Sequence, residues 1–176
     1  MKNCTAIIFD LDGVICFTDR FHYQAWKALA DRLGIPFDRE RNNLLRGVSR
    51  MQSLEIILEK SSKSFSNEEK VALAEEKNAL YRKLLIQMSP ADLSEEVCAT
   101  LKTLRRTKLK LAIGSSGRNT PFILERIGLE HFFDAIADGN GITHSKPHSE
   151  VFLKAAEMIG LPRADCMVVE DAHAGV

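Results

Sequence analysis

Cysteine, net charge and long apolar runs are all scarce in this chain. Four cysteines occur among 176 residues, Cys4, Cys16, Cys98 and Cys166, and no two form a C-x-x-C pair. Such scattered thiols argue against a zinc site. Cys4 and Cys166 flank apolar runs and are expected as core thiols, which suits a reducing, cytoplasmic location. Lys plus Arg equals Asp plus Glu, 24 each. No one-signed field therefore favours nucleic acid or an acidic membrane surface. No segment approaches about 18 uninterrupted apolar residues, so no membrane span is expected. The N-terminus lacks a signal peptide's apolar stretch and cleavage site. Internal repeats and low-complexity tracts are also missing. What is present is a globular composition, 45% hydrophobic and 27% charged, enough for one ordinary domain or a core with a small insertion.

Four short apolar runs, residues 5–10, 109–114, 134–138 and 166–170, alternate with helical stretches. That alternation predicts an α/β fold with a Rossmann-like parallel sheet and right-handed crossovers. Residues 19 to about 88 read as almost wholly helical, too long for one crossover. Phe21, Ala25, Ala28, Leu29 and Leu33 form a stripe that stops at Gly34 and Pro36. Ser49-x-x-Gln52 and Ser66-x-x-Glu69 are capping boxes that open further helices. The last helix carries Leu73, Leu80, Tyr81, Leu84, Leu85 and Met88 on one face. The expected organisation is an α/β core of residues 1–16 and 90–176, with an inserted helical cap of residues 17–89. Further helices are predicted from Ser94 to about Arg106, from Thr120-Pro121 to Gly128, and over residues 149–159.

Four segments carry candidate chemistry. Asp10 and Asp12 stand where the first strand runs out, and the crevice beyond strand ends is where open α/β sheets bind ligands. One carboxylate can attack phosphorus while the other moves a proton, although either Asp also suits a loop cap. Gly13 permits a sharp reversal after them. Gly114-Ser115-Ser116-Gly117-Arg118-Asn119-Thr120-Pro121 follows a strand and opens a helix, which makes a phosphate cradle or an ordinary Ser/Gly turn. Lys146, held before Pro147, offers a fixed positive charge or a surface Lys-Pro pair. Glu170 and Asp171 follow the apolar run 167–169 and suit Mg²⁺, with helix capping as the plainer role. Four carboxylates gathered without a cation repel one another.

In the helical insertion, Lys77 lies within an apolar stripe, so that face borders a polar cleft or the lysine snorkels. His22 and Trp26, four apart, share a helix face beside the main stripe. His22 is a candidate partner for Asp12 or a sugar hydroxyl, whereas Trp26 fits core packing almost as well. Arg50 opposes the dipole of its own helix start, which hints at a distal phosphate or a solvated surface role. His131, His144, His148 and His173 show no metal-ligand spacing and read as surface or loop residues.

Taken together the four segments resemble the haloacid dehalogenase superfamily of phosphoryl-transfer enzymes over nearly the whole chain. Phe21-His22-Tyr23-Gln24-Ala25-Trp26, Leu45-Arg46-Gly47-Val48-Ser49-Arg50, Ser53 and Ser89-Pro90-Ala91-Asp92 are similar to its β-phosphoglucomutase branch. The resemblance implies interconversion of β-D-glucose 1-phosphate and glucose 6-phosphate through β-glucose 1,6-bisphosphate. It implies Asp10 as the phosphorylated nucleophile and Asp12 as general acid and base. Mg²⁺ would be held by Asp10, the Asp12 backbone carbonyl, Glu170 and Asp171. Ser115, Ser116, Asn119 and Lys146 would hold the transferring phosphoryl group, and Arg118 would be a further substrate-binding residue. His22, Trp26, Arg46, Gly47, Val48, Ser49, Arg50, Ser53 and Lys77 would bind the substrate from the cap, Arg50 gripping its distal phosphate. The expected partner is a small sugar phosphate, with no nucleic acid, no membrane and a monomeric state.

Three departures accompany the likeness. Arg46 replaces the family's usual lysine, keeping charge but changing hydrogen-bond geometry, and Phe17 takes a hinge position that is commonly polar. The chain also ends at Val176, where the family continues with a helix and a strand. The expectation is a core lacking its C-terminal part, with the 166–170 strand left as an open edge. A sugar-phosphate phosphatase, or a catalytically silent fragment, are the alternatives that this leaves.

Overall fold

The computed structural model describes residues 4–175. The chain divides into two compact units, Thr18–Gln87 and the remainder on either side of it, Met1–Phe17 with Met88–Val176. In chain order, strand β1 (Ala6–Phe9) is followed by the helical unit with α1 (Asp19–Leu33), α2 (Arg39–Asn43), α3 (Arg50–Leu58) and α4 (Asn67–Leu85). The α/β unit then resumes with α5 (Glu95–Arg105), β2 (Lys110–Gly114), α6 (Thr120–Arg126), β3 (Ala135–Ala137), α7 (Glu150–Met158) and β4 (Cys166–Val169).

The four strands form one parallel sheet in the order β3-β2-β1-β4. β1 is central, buried along its length, and built from four apolar residues that suit a strand covered on both faces. Its register aligns Phe9 with Ile113 of β2 and with Val169 of β4. The next residue on each strand is therefore Asp10, Gly114 or Glu170, and all three emerge at one edge of the sheet. The backbone carries the alignment one step further, with the Asp10 N–H donating to the Val169 carbonyl at 2.9 Å. Helix α7 covers one face, its Val151, Phe152, Ala155 and Ala156 packing with Ile8, Ala112, Ala135 and Ala137. A Cβ on Gly114 would lie 2.7 Å from Cδ1 of Phe152, so only glycine lets the ring seat there.

β4 is the sheet's edge, with Met167 53% and Val168 41% exposed. This alters one expectation: Cys4 and Cys166 are half-buried rather than core thiols, because they lie on and beside that open edge. Cys16 is the buried cysteine among the described residues, and burial pushes its thiol well above the ordinary range.

The helical unit has its own core of Trp26, Leu29, Ala30, Ile35, Phe37, Leu45, Leu54, Ile57, Leu58, Leu73 and Ala74. Gly34 ends α1 in the left-handed conformation, and both capping boxes form with reciprocal bonds, Ser49 with Gln52 and Ser66 with Glu69. The stripe of α1 differs from the expected one. Ala28 is exposed, whereas Trp26 and Ala30 are buried. The buried arc is thus centred nearer His22 and Leu29, so His22 and Trp26 lie within the stripe rather than beside it. α2 is an additional short helix, opened by Asp38, whose side chain accepts from the Arg41 N–H.

Candidate active site

Asp10 is 6% exposed and Lys146 3%, and their side chains meet at 2.8 Å from Nζ to Oδ1. The same ammonium reaches Oε2 of Glu170 at 2.5 Å. Asp10, Glu170 and Asp171 each present a carboxylate oxygen within 4.8 Å of the others. Lys146 thus contacts two of these three acids, Asp10 and Glu170. Burial pushes the Asp10 carboxyl up to about 6, against the pull of Lys146 and with added repulsion from Glu170. Glu170 is steadied by the Ala172 N–H, which donates to its Oε1 at 3.0 Å.

The donor set fits a hard divalent cation. It consists of carboxylate oxygens with no soft ligand, and net negative charge stays uncompensated after Lys146 is counted. The Asp12 side chain is not part of this trio. Gly13, at φ +89°, holds the backbone against Asp171, and a Cβ there would stand 2.2 Å from Oδ2.

The loop after β2 supplies hydroxyls beside the same edge. Ser115 is buried, its N–H donates to the Ala137 carbonyl at 3.1 Å, and its Oγ accepts from the Gly117 N–H at 3.2 Å. Thr120 closes the loop by donating to the Gly117 carbonyl at 2.9 Å. Ser116 Oγ is buried with no hydrogen-bond partner. An unmet buried hydroxyl costs about 1–3 kcal/mol, which an incoming phosphoryl oxygen would relieve. Asn119 is buried at the start of α6, whereas Arg118 is exposed.

Sequence reasoning missed what braces this loop. The Gly139 N–H donates to the Gly117 carbonyl at 3.1 Å, and Asn140 Nδ2 donates to the Arg118 carbonyl at 2.9 Å. A Cβ on Gly139 would lie 2.2 Å from the Ser116 carbonyl oxygen. The available signal was Asp138-Gly139-Asn140-Gly141, a turn sequence directly after a strand. Lys146 enters from another turn, whose Lys146–Pro147 peptide is cis and which the His148 N–H closes onto the Ser145 carbonyl at 3.1 Å.

The helical unit gathers a second polar group. Lys77 is 3% exposed, so it does not snorkel. Its Nζ lies 2.8 Å from His22 Nδ1, 4.6 Å from the centre of the Trp26 ring and 4.5 Å from that of Tyr81. Burial, then the charges of Lys77 and Arg50, hold the His22 imidazole well below its usual range. A neutral ring therefore accepts a hydrogen bond from the Lys77 ammonium at Nδ1, which leaves its own hydrogen on Nε2. Trp26 belongs to the helical core and also forms one wall of this lysine site. Ser53 is buried, Gly47 adopts φ +74°, and Val48 and Ser49 are half-exposed on the turn into α3. Arg46 is exposed, 3.6 Å from Asp19. Arg50 bonds Glu75 at 2.7 Å and Asn78 at 3.0 Å, which ties α3 to α4. That tie gives its position a packing reason besides the distal phosphate inferred from the helix dipole.

An acid-and-lysine cluster at the end of a parallel sheet, with a helical unit inserted after the first strand, defines a class. The chain belongs to the haloacid dehalogenase-like hydrolase family, whose model matches residues 4–176. Within that class it is 41% identical to the β-phosphoglucomutase of Bacillus subtilis strain 168, over 97% of this chain and 76% of that protein. The crystal structure of β-phosphoglucomutase from Clostridium difficile matches with a TM-score of 0.91 at 40% identity, covering 97% of this chain and 78% of that one. The fructose-1-phosphate phosphatase YqaB of Escherichia coli K12 is 29% identical over 99% of this chain and 90% of its own length. The chain is thus a homologue of β-phosphoglucomutase within a phosphoryl-transfer superfamily.

Proposed function

We propose that the protein is a β-phosphoglucomutase-type isomerase, which interconverts β-D-glucose 1-phosphate and glucose 6-phosphate through an aspartyl phosphate and β-glucose 1,6-bisphosphate. The observation that carries this reading is the buried Asp10 carboxylate, held 2.8 Å from Lys146 among the acids Glu170 and Asp171. Identity of 41% to a β-phosphoglucomutase supports the choice of substrate.

In this reading an Asp10 oxygen forms a bond to phosphorus as the bond from phosphorus to the sugar oxygen breaks, and Asp12 gives that oxygen a proton. In the reverse half-reaction Asp12 takes the proton of a sugar hydroxyl as it attacks the aspartyl phosphate. Lys146, Ser115, Ser116 and Asn119 bind the phosphoryl oxygens, with Arg118 at the loop's exposed shoulder. Asp10, the Asp12 backbone carbonyl, Glu170 and Asp171 would hold Mg²⁺, which supplies positive charge where two sets of anionic oxygens meet. His22, Trp26, Arg46, Gly47, Val48, Ser49, Arg50, Ser53 and Lys77 form the proposed recognition set of the helical unit, Arg50 taking the distal phosphate. The unit 18–87 is proposed to act as a cap, and the four unpaired cysteines agree with a reducing, cytoplasmic setting.

A phosphatase is the second reading, favoured by the full-length similarity to the fructose-1-phosphate phosphatase. Both chemistries use the same nucleophile, and they differ in whether a sugar hydroxyl or water accepts the phosphoryl group. A coupled assay with Mg²⁺, β-glucose 1-phosphate and a trace of bisphosphate separates them. Glucose 6-phosphate without stoichiometric free phosphate is expected, and free phosphate alone would reject the mutase.

A further inference from the structure

The histidines beside Lys146 show no ligand spacing along the chain, yet the fold gathers two of them around an acid. His144, His148 and Glu150 each offer a ligand atom, and these atoms lie within 4.8 Å of one another. The two imidazoles tilt together with centroids 4.9 Å apart, and His144 Nδ1 is 3.1 Å from Glu150 Oε2. Both histidines are exposed, so an ion has an open path to them. We propose that His144, His148 and Glu150 form a surface site for one borderline divalent transition cation of the zinc class, separate from the acidic trio around Asp10.

The chemistry of the donors selects the ion. Two imidazole nitrogens and one carboxylate suit zinc, nickel or cobalt, whereas magnesium prefers oxygen donors and retained water. Glu150 is held ready for the task. The backbone N–H groups of Thr143 and His144 donate to its two oxygens at 2.9 and 2.8 Å. Those bonds keep its carboxyl down at about 2, so it is anionic at any working pH. A carboxylate fixed from behind in this way resembles the outer-shell support that orients metal ligands generally.

Modest adjustments complete the site. Ligands about 2.0–2.1 Å from zinc in tetrahedral array stand roughly 3.3 Å apart. The His144–Glu150 pair already has that spacing at 3.1 Å, and donors standing as much as 4.8 Å apart need to close. Exposed imidazoles rotate that far easily. His148 Nδ1 gives up a 3.2 Å bond from the Glu150 N–H, and the ion displaces Lys154 Nζ, now 3.6 Å from Glu150 Oε1. Because His144 and His148 bracket the turn that carries Lys146, a bound ion joins the two ends of that turn. Binding does not depend on the proposed isomerase activity and is read without it.

The test is a zinc titration of the untagged chain against a chromophoric chelator, in wild type, Asp10→Asn, His144→Ala and His148→Ala. One tight site is expected in wild type and in Asp10→Asn, weakened at least about tenfold in each histidine variant. Zinc should also slow amide exchange across residues 143–150 in wild type. Both histidines are exposed, so their variants are expected to melt as wild type does, and a melt of each checks this. Unchanged affinity in properly folded histidine variants would overturn the proposal. So would loss of the tight site in Asp10→Asn alone, which would assign the ion to the acidic trio.

Discussion

At the scale of single residues, the site is a matter of which charges share a small buried volume. Burial raises the proton affinity of Asp10, and the nearby Lys146 ammonium, shared with Glu170, offsets only part of that rise. Asp10→Asn removes the proposed nucleophile while preserving shape. Phosphoryl transfer is expected to fall at least about 10³-fold, with the folded state intact by circular dichroism. Substantial turnover in that variant would remove Asp10 from its role. Gly13 provides a second residue-scale test. With φ at +89°, and with an added Cβ only 2.2 Å from Asp171, Gly13→Ala must move either the turn or that acid. The expected outcome is at least about tenfold weaker Mg²⁺ binding by calorimetry, with little change in the melting of the separate helical unit. The acids and Lys146 were legible because each follows a strand or precedes a proline. Their partners were not, since Lys146 meets Glu170 from 24 positions away and Lys77 meets His22 from 55.

At the scale of elements, local signals worked wherever the physics is local. Both capping boxes and the Gly34 stop are readable because a cap involves residues three or four apart. The four strands were readable as apolar runs, but the register that sets Asp10 beside Glu170 depends on pairing between distant segments. The α1 stripe went astray at Ala28, where a small residue fits either face and gives periodicity nothing to weigh. α2 is five residues long, too short for any periodic pattern, and it went unread in the sequence. The Ser66 box supports a direct test. Its hydroxyl accepts from the Glu69 N–H, and the Glu69 carboxylate accepts from the Ser66 N–H at 2.7 Å. Ser66→Ala is expected to cost about 1 kcal/mol in the unfolding of the helical unit, measured by urea denaturation followed through Trp26, which lies in that unit. A change below about 0.3 kcal/mol would mean that this helix start does not limit the unit's stability.

At the scale of the whole molecule, the acidic cluster links folding to both protons and metal. Asp10 rises from 3.8 to about 6 on folding, chiefly through burial. Between roughly pH 4 and 6 the folded state therefore holds a proton that the unfolded chain has released. Stability from this group is fully present below that window and is lost as pH climbs through it, a decline of about 3 kcal/mol. Other acids titrate in the same range, so the informative quantity is the difference between wild type and Asp10→Asn, which has no such proton to lose. In chelator, wild type should lose about 3 kcal/mol relative to the variant from about pH 4 to 6.5, measured by denaturant melts at each pH. Mg²⁺ should act in the opposite sense, because it requires the ionised carboxylate that burial disfavours. At a free concentration about 100 times its dissociation constant it adds about 2.7 kcal/mol, and that gain should grow as pH passes about 6. Parallel wild-type and variant profiles in chelator, together with a pH-independent response to Mg²⁺, would detach Asp10 from the cation. A metal-free protein that weakens as pH rises from about 4 to about 6 and recovers with Mg²⁺ is what a nucleophile kept buried beside a cation site requires.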